Sequence, residues 1–133
     1  MPVQTQKRAL SVLVVDDNEA MCENVKDILQ SEGYQTHCVH DALTAIEHVK
    51  KSPPDIVLMD VRLPDMSGVN AFKEIKKIAP RVAVIMITGY SVDELIAEAM
   101  EAGARGYLKK PLDFHRLFAL IEQEGSRPTK DNA

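Results

Sequence analysis

The chain has 133 residues and a formal net charge of −4, with 45% hydrophobic and 27% charged residues. This length and composition are typical of one soluble globular domain with one core. The mildly acidic balance argues against a nucleic-acid surface, which needs a clustered basic patch.

The hydrophobic runs are too short for a membrane protein. The longest, Val82 to Ile87, falls far below the ~20 residues that a membrane-spanning helix needs. The N-terminus, MPVQTQKRAL, lacks the apolar run of a signal peptide. We therefore predict a cytoplasmic protein that contacts neither membranes nor, directly, nucleic acid.

Five short apolar runs predict five β-strands. Four of them are rich in Val, Ile or Leu, which suits strands that are buried on both faces of a parallel sheet. The second run is mixed in character and fits an edge strand better. In chain order the runs are Val12–Val15, Gln35–Val39, Ile56–Met59, Val82–Ile87 and Tyr107–Leu108.

A stretch with helical spacing of apolar residues follows each run. Asp41 and Ser67 are suited to cap the starts of the second and third helices, and Gly33 and Gly103 to end the first and fourth. The β–α unit therefore occurs five times, which predicts an α/β fold with a doubly wound, five-stranded parallel sheet and right-handed crossovers. By analogy with flavodoxin-like (βα)5 sheets of this size, we expect the strand order 2-1-3-4-5.

Polar side chains follow four of the five predicted strands. Asp16 and Asp17 follow the first, Asp60 the third, Thr88 the fourth, and Lys109–Lys110 the fifth. Ligands of doubly wound sheets bind beyond the carboxyl ends of the strands, so we expect these groups to share one rim. Three adjacent carboxylates need a cation, and oxygen ligands favour a hard cation such as Mg²⁺. An aspartate can accept a phosphoryl group and an ammonium group can bind it, so the set predicts a phospho-aspartate site.

The chain resembles the receiver domain family of response regulators. The resemblance covers residues 10–124, which leaves 1–9 as an N-terminal extension and 125–133 as a polar tail that we expect to be disordered. Each motif alone is weak, but together in this order and spacing they are specific. The motifs are VLVVDDNE (12–19), IVLMDVRLPDMSG (56–68), VIMITGY (84–90) and GYLKKP (106–111).

The resemblance implies a role for each matched acidic position. Asp60 would be the phosphorylated residue. Asp17 would bind the metal directly, and Asp16 mainly through water. The backbone carbonyl of Arg62 would complete the site, which would take Mg²⁺ or Mn²⁺.

The resemblance also implies how phosphorylation is reported. Thr88 would contact the phosphoryl group, and the lysine before Pro111, Lys110, would pair with it. Tyr107 would be the aromatic switch residue that follows Thr88. Pro64 and Gly68 match the family's loop after the acceptor strand.

The function implied is that of a phosphorylation-controlled switch. A sensor histidine kinase or phosphotransfer protein would supply the phosphoryl group, and the domain would catalyse only its own phosphorylation and dephosphorylation, so we do not expect an ordinary enzyme. The fourth helix, fifth strand and fifth helix would then signal to an output domain or protein. A phosphorylation-dependent dimer is left open.

Three other functions compete with this one. A flavin-binding module would need a first loop rich in Gly, Ser and Thr, but residues 16–19 are Asp-Asp-Asn-Glu. A phosphatase of the phospho-aspartate type would place its nucleophile after the first strand in a DxD pattern, which is absent here. A non-phosphorylated, receiver-like interaction module usually lacks one of the key residues, and this sequence retains them all.

Two large residues flank the predicted acceptor site. Arg62 and Tyr90 are larger than many residues at such positions, and we hypothesise that they shield the acyl phosphate from water. An unchanged phosphate half-life in Arg62→Ala and Tyr90→Ala would contradict this.

Overall fold

The computed structural model describes residues 10–89 and 93–125. Strands and helices alternate, as predicted. The expected extension 1–9, the side chain of Tyr90 and the expected disordered tail from residue 126 onward lie outside the described residues. The elements are β1 (Ser11–Val15), α1 (Glu19–Ser31), β2 (Gln35–Val39), α2 (Ala42–Lys51), β3 (Ile56–Asp60), α3 (Gly68–Ile78), β4 (Ala83–Thr88), α4 (Asp93–Glu101), β5 (Gly106–Lys109) and α5 (Phe114–Gly125).

All five strands are parallel and lie in the order β2-β1-β3-β4-β5, which confirms the predicted order and the edge position of β2. In the register between β1 and β3, Val15 pairs with Met59. The carboxyl ends of these two strands are therefore neighbours. Asp16, which follows β1, and Asp60, the last residue of β3, therefore come to lie side by side.

The sheet is covered on both faces. Leu13, Val57 and Met86 face the helices α2, α3 and α4, while Val14 and Leu58 face α1 and α5. All five side chains are fully buried. Apolar burial on both sides explains the nearly continuous apolar runs and makes the sheet a rigid base for the polar residues at its rim.

The predicted caps are where the sequence suggested. Asp41 caps α2 by accepting a hydrogen bond from the amide of Thr44, and Ser67 caps α3. Gly33 and Gly103 follow α1 and α4 with φ of 96° and 110°, a conformation that favours glycine.

The strands extend one residue beyond several predicted runs, because parallel pairing continues past the last apolar side chain. Asp60 still pairs with Ile87, and Thr88 pairs with Lys109. Two polar residues of the predicted site, Asp60 and Thr88, are thus fixed by the sheet itself. In the described part of the chain, no helix is long and apolar enough to cross a membrane.

Candidate functional site

Three carboxylates meet at the rim formed by β1 and β3. The side chain of Asp16 is completely buried, Asp60 is 5% exposed and Asp17 is exposed. One oxygen from each carboxylate lies within 4.8 Å of the others. The structure therefore brings together the three acidic residues that the sequence analysis assigned to a metal and a phosphoryl group.

Lys110 reaches this cluster from the end of β5. Its Nζ lies 2.8 Å from Oδ2 of Asp16 and donates a hydrogen bond of 3.2 Å to Oδ2 of Asp60. Its backbone amide donates to the carbonyl oxygen of Thr88 at 2.8 Å, and the peptide bond to Pro111 is cis. The neighbouring Lys109 has an exposed side chain, so it is Lys110 that lies at the carboxylates.

The carboxylates and the ammonium group change each other's protonation. The pKa of Asp60 lies above its usual value, first because the carboxyl is buried and also because the charge of Asp16 is close to it. The backbone amide of Arg62 and the ammonium group of Lys110 act in the opposite direction and lower this pKa. Desolvation lowers the pKa of Lys110, but the contacts and charges of Asp16 and Asp60 outweigh it, so this pKa is raised. Lys110 therefore stays charged, and a single ammonium group faces three carboxylates.

A hard cation fits the remaining negative charge. Oδ2 of Asp16 is paired with the ammonium group of Lys110 and, among the described residues, accepts no hydrogen bond from any other group. A carboxylate oxygen has room for more than one partner, so this buried oxygen keeps capacity for a cation, and two further carboxylates lie beside it. An all-oxygen donor set of this kind is what Mg²⁺ prefers.

The segment after β3, residues 61–67, curves back over the end of that strand. The amide of Arg62 donates to Oδ1 of Asp60 at 3.1 Å, and Arg62 forms an antiparallel bridge with Ser67. The amide of Gly68 donates to the carbonyl of Val61 at 2.7 Å. A Cβ atom at Gly68 would lie 1.9 Å from the carbonyl oxygen of Asp60, so this close return requires glycine.

Thr88 and Tyr107 lie on neighbouring strands. Thr88 is buried at the end of β4, beside Lys110. Tyr107 is half-buried, pairs with Met86 across the β4–β5 ladder and packs against the cluster under α3 and α4. Residues two apart in a strand share a face, so Thr88 lies on the same side of the sheet as Met86 and Tyr107.

The sequence analysis gave no role to two residues at the edge of the site. The Nδ1 of His40 lies 2.9 Å from the carbonyl oxygen of Asp16. The carboxylate of Asp65, in the segment after β3, accepts hydrogen bonds from the amides of Ala42 and Leu43. Both contacts join segments that are distant in the sequence, so no local pattern points to them.

Comparison with known proteins agrees with this geometry. A family model described as the response regulator receiver domain matches residues 12–122, and the chain therefore belongs to the response regulator receiver family. The chain is thus a receiver domain of the two-component type, and the family does not favour the flavin-binding, phosphatase or non-phosphorylated alternatives.

Particular relatives cover the chain to different extents. The Escherichia coli (strain K12) transcriptional regulatory protein ZraR is 39% identical over 114 residues, which is 86% of this chain but 26% of ZraR. The chain thus spans about a quarter of that protein's length. The chemotaxis protein CheY of Bacillus subtilis (strain 168) is 33% identical over 84% of this chain and 94% of its own.

Solved structures show the same fold. A CheY-like receiver domain protein from Methanospirillum hungatei JF-1 superposes with a TM-score of 0.85 at 30% identity, covering 89% of this chain and 94% of that one. NtrX from Brucella abortus gives a TM-score of 0.81 at 32% identity, covering 88% of this chain and 27% of NtrX.

Proposed function

We propose that Asp60 is the phospho-acceptor of this receiver domain and that the domain catalyses the transfer to itself. The observation that supports this most is the setting of the Asp60 carboxylate. One oxygen accepts from the amide of Arg62 and the other from Lys110, and the carboxylates of Asp16 and Asp17 lie beside it. This arrangement supports the proposal, because one rim holds a carboxylate suited to act as nucleophile, a cation, and an acid pair suited to hold a metal.

The reaction follows from these positions. An oxygen of Asp60 forms a bond to phosphorus while the bond from phosphorus to the donor's histidine nitrogen breaks, and the electron pair stays on that nitrogen. Lys110 pairs with a phosphoryl oxygen through its ammonium group, which its raised pKa keeps charged. The product is an acyl phosphate.

Asp16, Asp17, Asp60 and the backbone carbonyl of Arg62 would hold Mg²⁺ or Mn²⁺. When bound, the ion neutralises negative charge on the phosphoryl oxygens. Arg62, whose side chain is exposed beside Asp60, would also shield the acyl phosphate from water.

The switch begins at Thr88 and Lys110. Phosphorylation adds about −1.5 to −2 of charge, to which the Thr88 hydroxyl and the Lys110 ammonium would turn. Tyr107 lies on the same face of the sheet as Thr88, so a change at Thr88 would reach the surface formed by α4, β5 and α5.

The remaining parts of the proposal concern extent and partners. Residues 10–124 form the receiver domain, with 1–9 and 125–133 outside it. A cytoplasmic sensor histidine kinase or phosphotransfer protein donates the phosphoryl group, and an output domain or protein reads the switch. The domain acts without direct contact to nucleic acid or membrane, and a phosphorylation-dependent dimer fits the same switch surface.

Chemical trapping tests the assignment of the acceptor. Borohydride reduces an acyl phosphate of aspartate to homoserine, which peptide mass mapping locates. We expect homoserine at position 60 after incubation with a phosphodonor and Mg²⁺, and none in Asp60→Asn. Homoserine at position 16 or 17 instead would overturn the assignment.

A further inference from the structure

The start of α2 is bonded to both sides of the acidic site. The residues just before α2 reach β1, where Nδ1 of His40 lies 2.9 Å from the carbonyl oxygen of Asp16. The first residues of α2 reach the segment after β3, through the carboxylate of Asp65. Neither contact belongs to the phosphoryl-transfer chemistry described above.

Asp65 binds the helix with both of its oxygens. Oδ1 accepts from the amide of Ala42 and Oδ2 from the amide of Leu43, each at 2.9 Å. These are the first two amides of α2, which have no acceptor inside the helix. The hydrogen bond from the Ala42 amide lowers the pKa of Asp65 below its usual range, and that from Leu43 adds to this effect. Desolvation opposes them but is outweighed, so the carboxylate stays charged. A charge at this end of a helix is further stabilised by the helix dipole.

Asp65 and Asp41 cap different backbone amides at the start of α2. Asp41 accepts from the third amide, that of Thr44, at 2.7 Å, and it immediately precedes the helix. Asp65 lies 23 residues further along the chain from Ala42. Loss of Asp41 therefore removes a cap alone, whereas loss of Asp65 removes a cap and also separates α2 from residues 61–67.

Residues 61–67 are the segment on which the site depends. Arg62 donates its amide to Asp60 and supplies the carbonyl that the proposed function assigns to the metal. The segment is held at its ends by the contact of Gly68 with Val61 and the bridge of Arg62 with Ser67. In its middle, Asp65 bonds to α2.

We propose that Asp65 is a positioning residue of the phospho-acceptor site, which acts by holding residues 61–67, and with them the backbone of Arg62, against the start of α2. This inference rests on the proposed function for the role of Arg62. Groups that are hydrogen-bonded directly to metal ligands commonly change metal affinity by 10–100-fold when they are removed. Asp65 acts through the backbone of residues 61–67 and does not contact a ligand directly, so we expect an effect no larger than the lower end of that range.

The test compares Asp65→Ala with the matched control Asp41→Ala. Electron paramagnetic resonance gives the Kd for Mn²⁺, and NMR gives the rate of amide exchange at Arg62. We expect Asp65→Ala to weaken Mn²⁺ binding about tenfold, the lower end of that range, and to speed exchange at Arg62 by a similar factor. Asp41→Ala should change neither by more than about twofold, and Asp65→Asn, which keeps one acceptor oxygen, should fall between Asp65→Ala and the native chain.

The outcomes separate a positioning role from simple helix capping. Unchanged Mn²⁺ affinity and unchanged Arg62 exchange in Asp65→Ala would overturn the proposal, and so would equal changes in Asp65→Ala and Asp41→Ala. Exchange at Arg62 needs no phosphodonor. If the native chain did not accept a phosphoryl group, the proposed function would be wrong. The rate of amide exchange at Arg62 would still show whether Asp65 positions residues 61–67.

Discussion

The ammonium group of Lys110 lies 2.8 Å from Oδ2 of Asp16, a completely buried carboxylate oxygen. Lys110 thus partly neutralises the acidic site without a metal. A metal ion bound to this oxygen would share it with Lys110 or displace it. We therefore expect the lysine and the metal to compete for the carboxylate of Asp16, although the proposed function needs both.

Removing that competitor should strengthen metal binding. We expect Lys110→Met to bind Mg²⁺ roughly tenfold more tightly than the native chain, about 1.4 kcal/mol, because like charges a few ångströms apart repel by more than this at an effective dielectric constant near 20. Isothermal titration calorimetry measures the change. Lys110→Arg keeps the charge and should stay near the native affinity. Unchanged or weaker binding in Lys110→Met would show that Lys110 does not oppose the metal.

Gly68 should tolerate no side chain. A Cβ there would lie 1.9 Å from the carbonyl oxygen of Asp60, so Gly68→Ala must move residues 61–67 or the end of β3. We expect a loss of about 3 kcal/mol in the free energy of unfolding, the upper end for overpacking, together with weaker Mg²⁺ binding. Urea denaturation measures the loss.

Gly89 supplies the control for that experiment. Among the residues that the structure describes, a Cβ at Gly89 would meet only Cδ of Lys110, at 3.5 Å, which is an ordinary contact. Gly89→Ala should therefore lose less than about 1 kcal/mol. If Gly68→Ala and Gly89→Ala were equally stable, the close approach of Gly68 to the carbonyl oxygen of Asp60 would be contradicted.

The pair His37 and His48 should make stability depend on pH. The rings of these residues, on β2 and α2, have centroids 5.4 Å apart. Burial first, and then the charge of His37, lowers the pKa of His48 below its usual 6.5. The unfolded chain therefore binds a proton more readily than the folded chain, so the stabilisation is complete above pH 6.5 and is lost as the pH falls through the pKa values of the two states.

Urea denaturation at pH 7.5 and pH 5.5 measures this effect. We expect the native chain to lose stability toward pH 5.5 and His48→Gln to lose less, because the variant lacks the imidazole whose pKa is lower in the folded chain than in the unfolded chain. The exposed His115 on α5 is the control, and His115→Gln should leave the loss unchanged. If the native chain and His48→Gln lost the same stability between pH 7.5 and pH 5.5, the pH dependence would not come from His48.

Thr88 should be needed for the switch but not for phosphorylation. Thr88 is buried beside Lys110 and shares a face of the sheet with Tyr107, while Asp60, the proposed acceptor, is on β3. We expect Thr88→Ala to accept a phosphoryl group at position 60 and yet to lose most of the phosphorylation-dependent change in amide exchange in α4 and β5. If phosphorylation changed amide exchange in Thr88→Ala as much as in the native chain, Thr88 would have no part in the switch.

The sequence predicted the positions that the sheet itself fixes. Asp16, Asp60 and Thr88 end strands whose apolar runs are unmistakable, and the rule for ligand sites in doubly wound sheets brings these ends together. The choice of Lys110 over Lys109 was harder to predict, because both lysines lie at the end of the fifth apolar run and only the family motif distinguished them. The structure resolves the geometry, with the backbone amide of Lys110 bonded to Thr88 and its side chain at the carboxylates.

The contacts that the sequence did not predict join distant segments. The approach of His40 to Asp16 depends on the pairing of β1 with β2, and the bonds from Asp65 to α2 depend on how residues 61–67 fold back. A histidine after an edge strand and an aspartate after a proline are ordinary turn residues on their own. Their roles come from tertiary structure, which local patterns do not encode.

The most direct test is the intact mass of the chain after incubation with acetyl phosphate or phosphoramidate, with and without Mg²⁺, for the native chain and for Asp60→Asn. We expect one phosphoryl group on the native chain only when Mg²⁺ is present, and none on Asp60→Asn. Equal labelling of Asp60→Asn would contradict the assignment of the acceptor. A native chain that took no phosphoryl group from these donors or from a panel of phosphorylated histidine kinases would contradict the phospho-acceptor function itself.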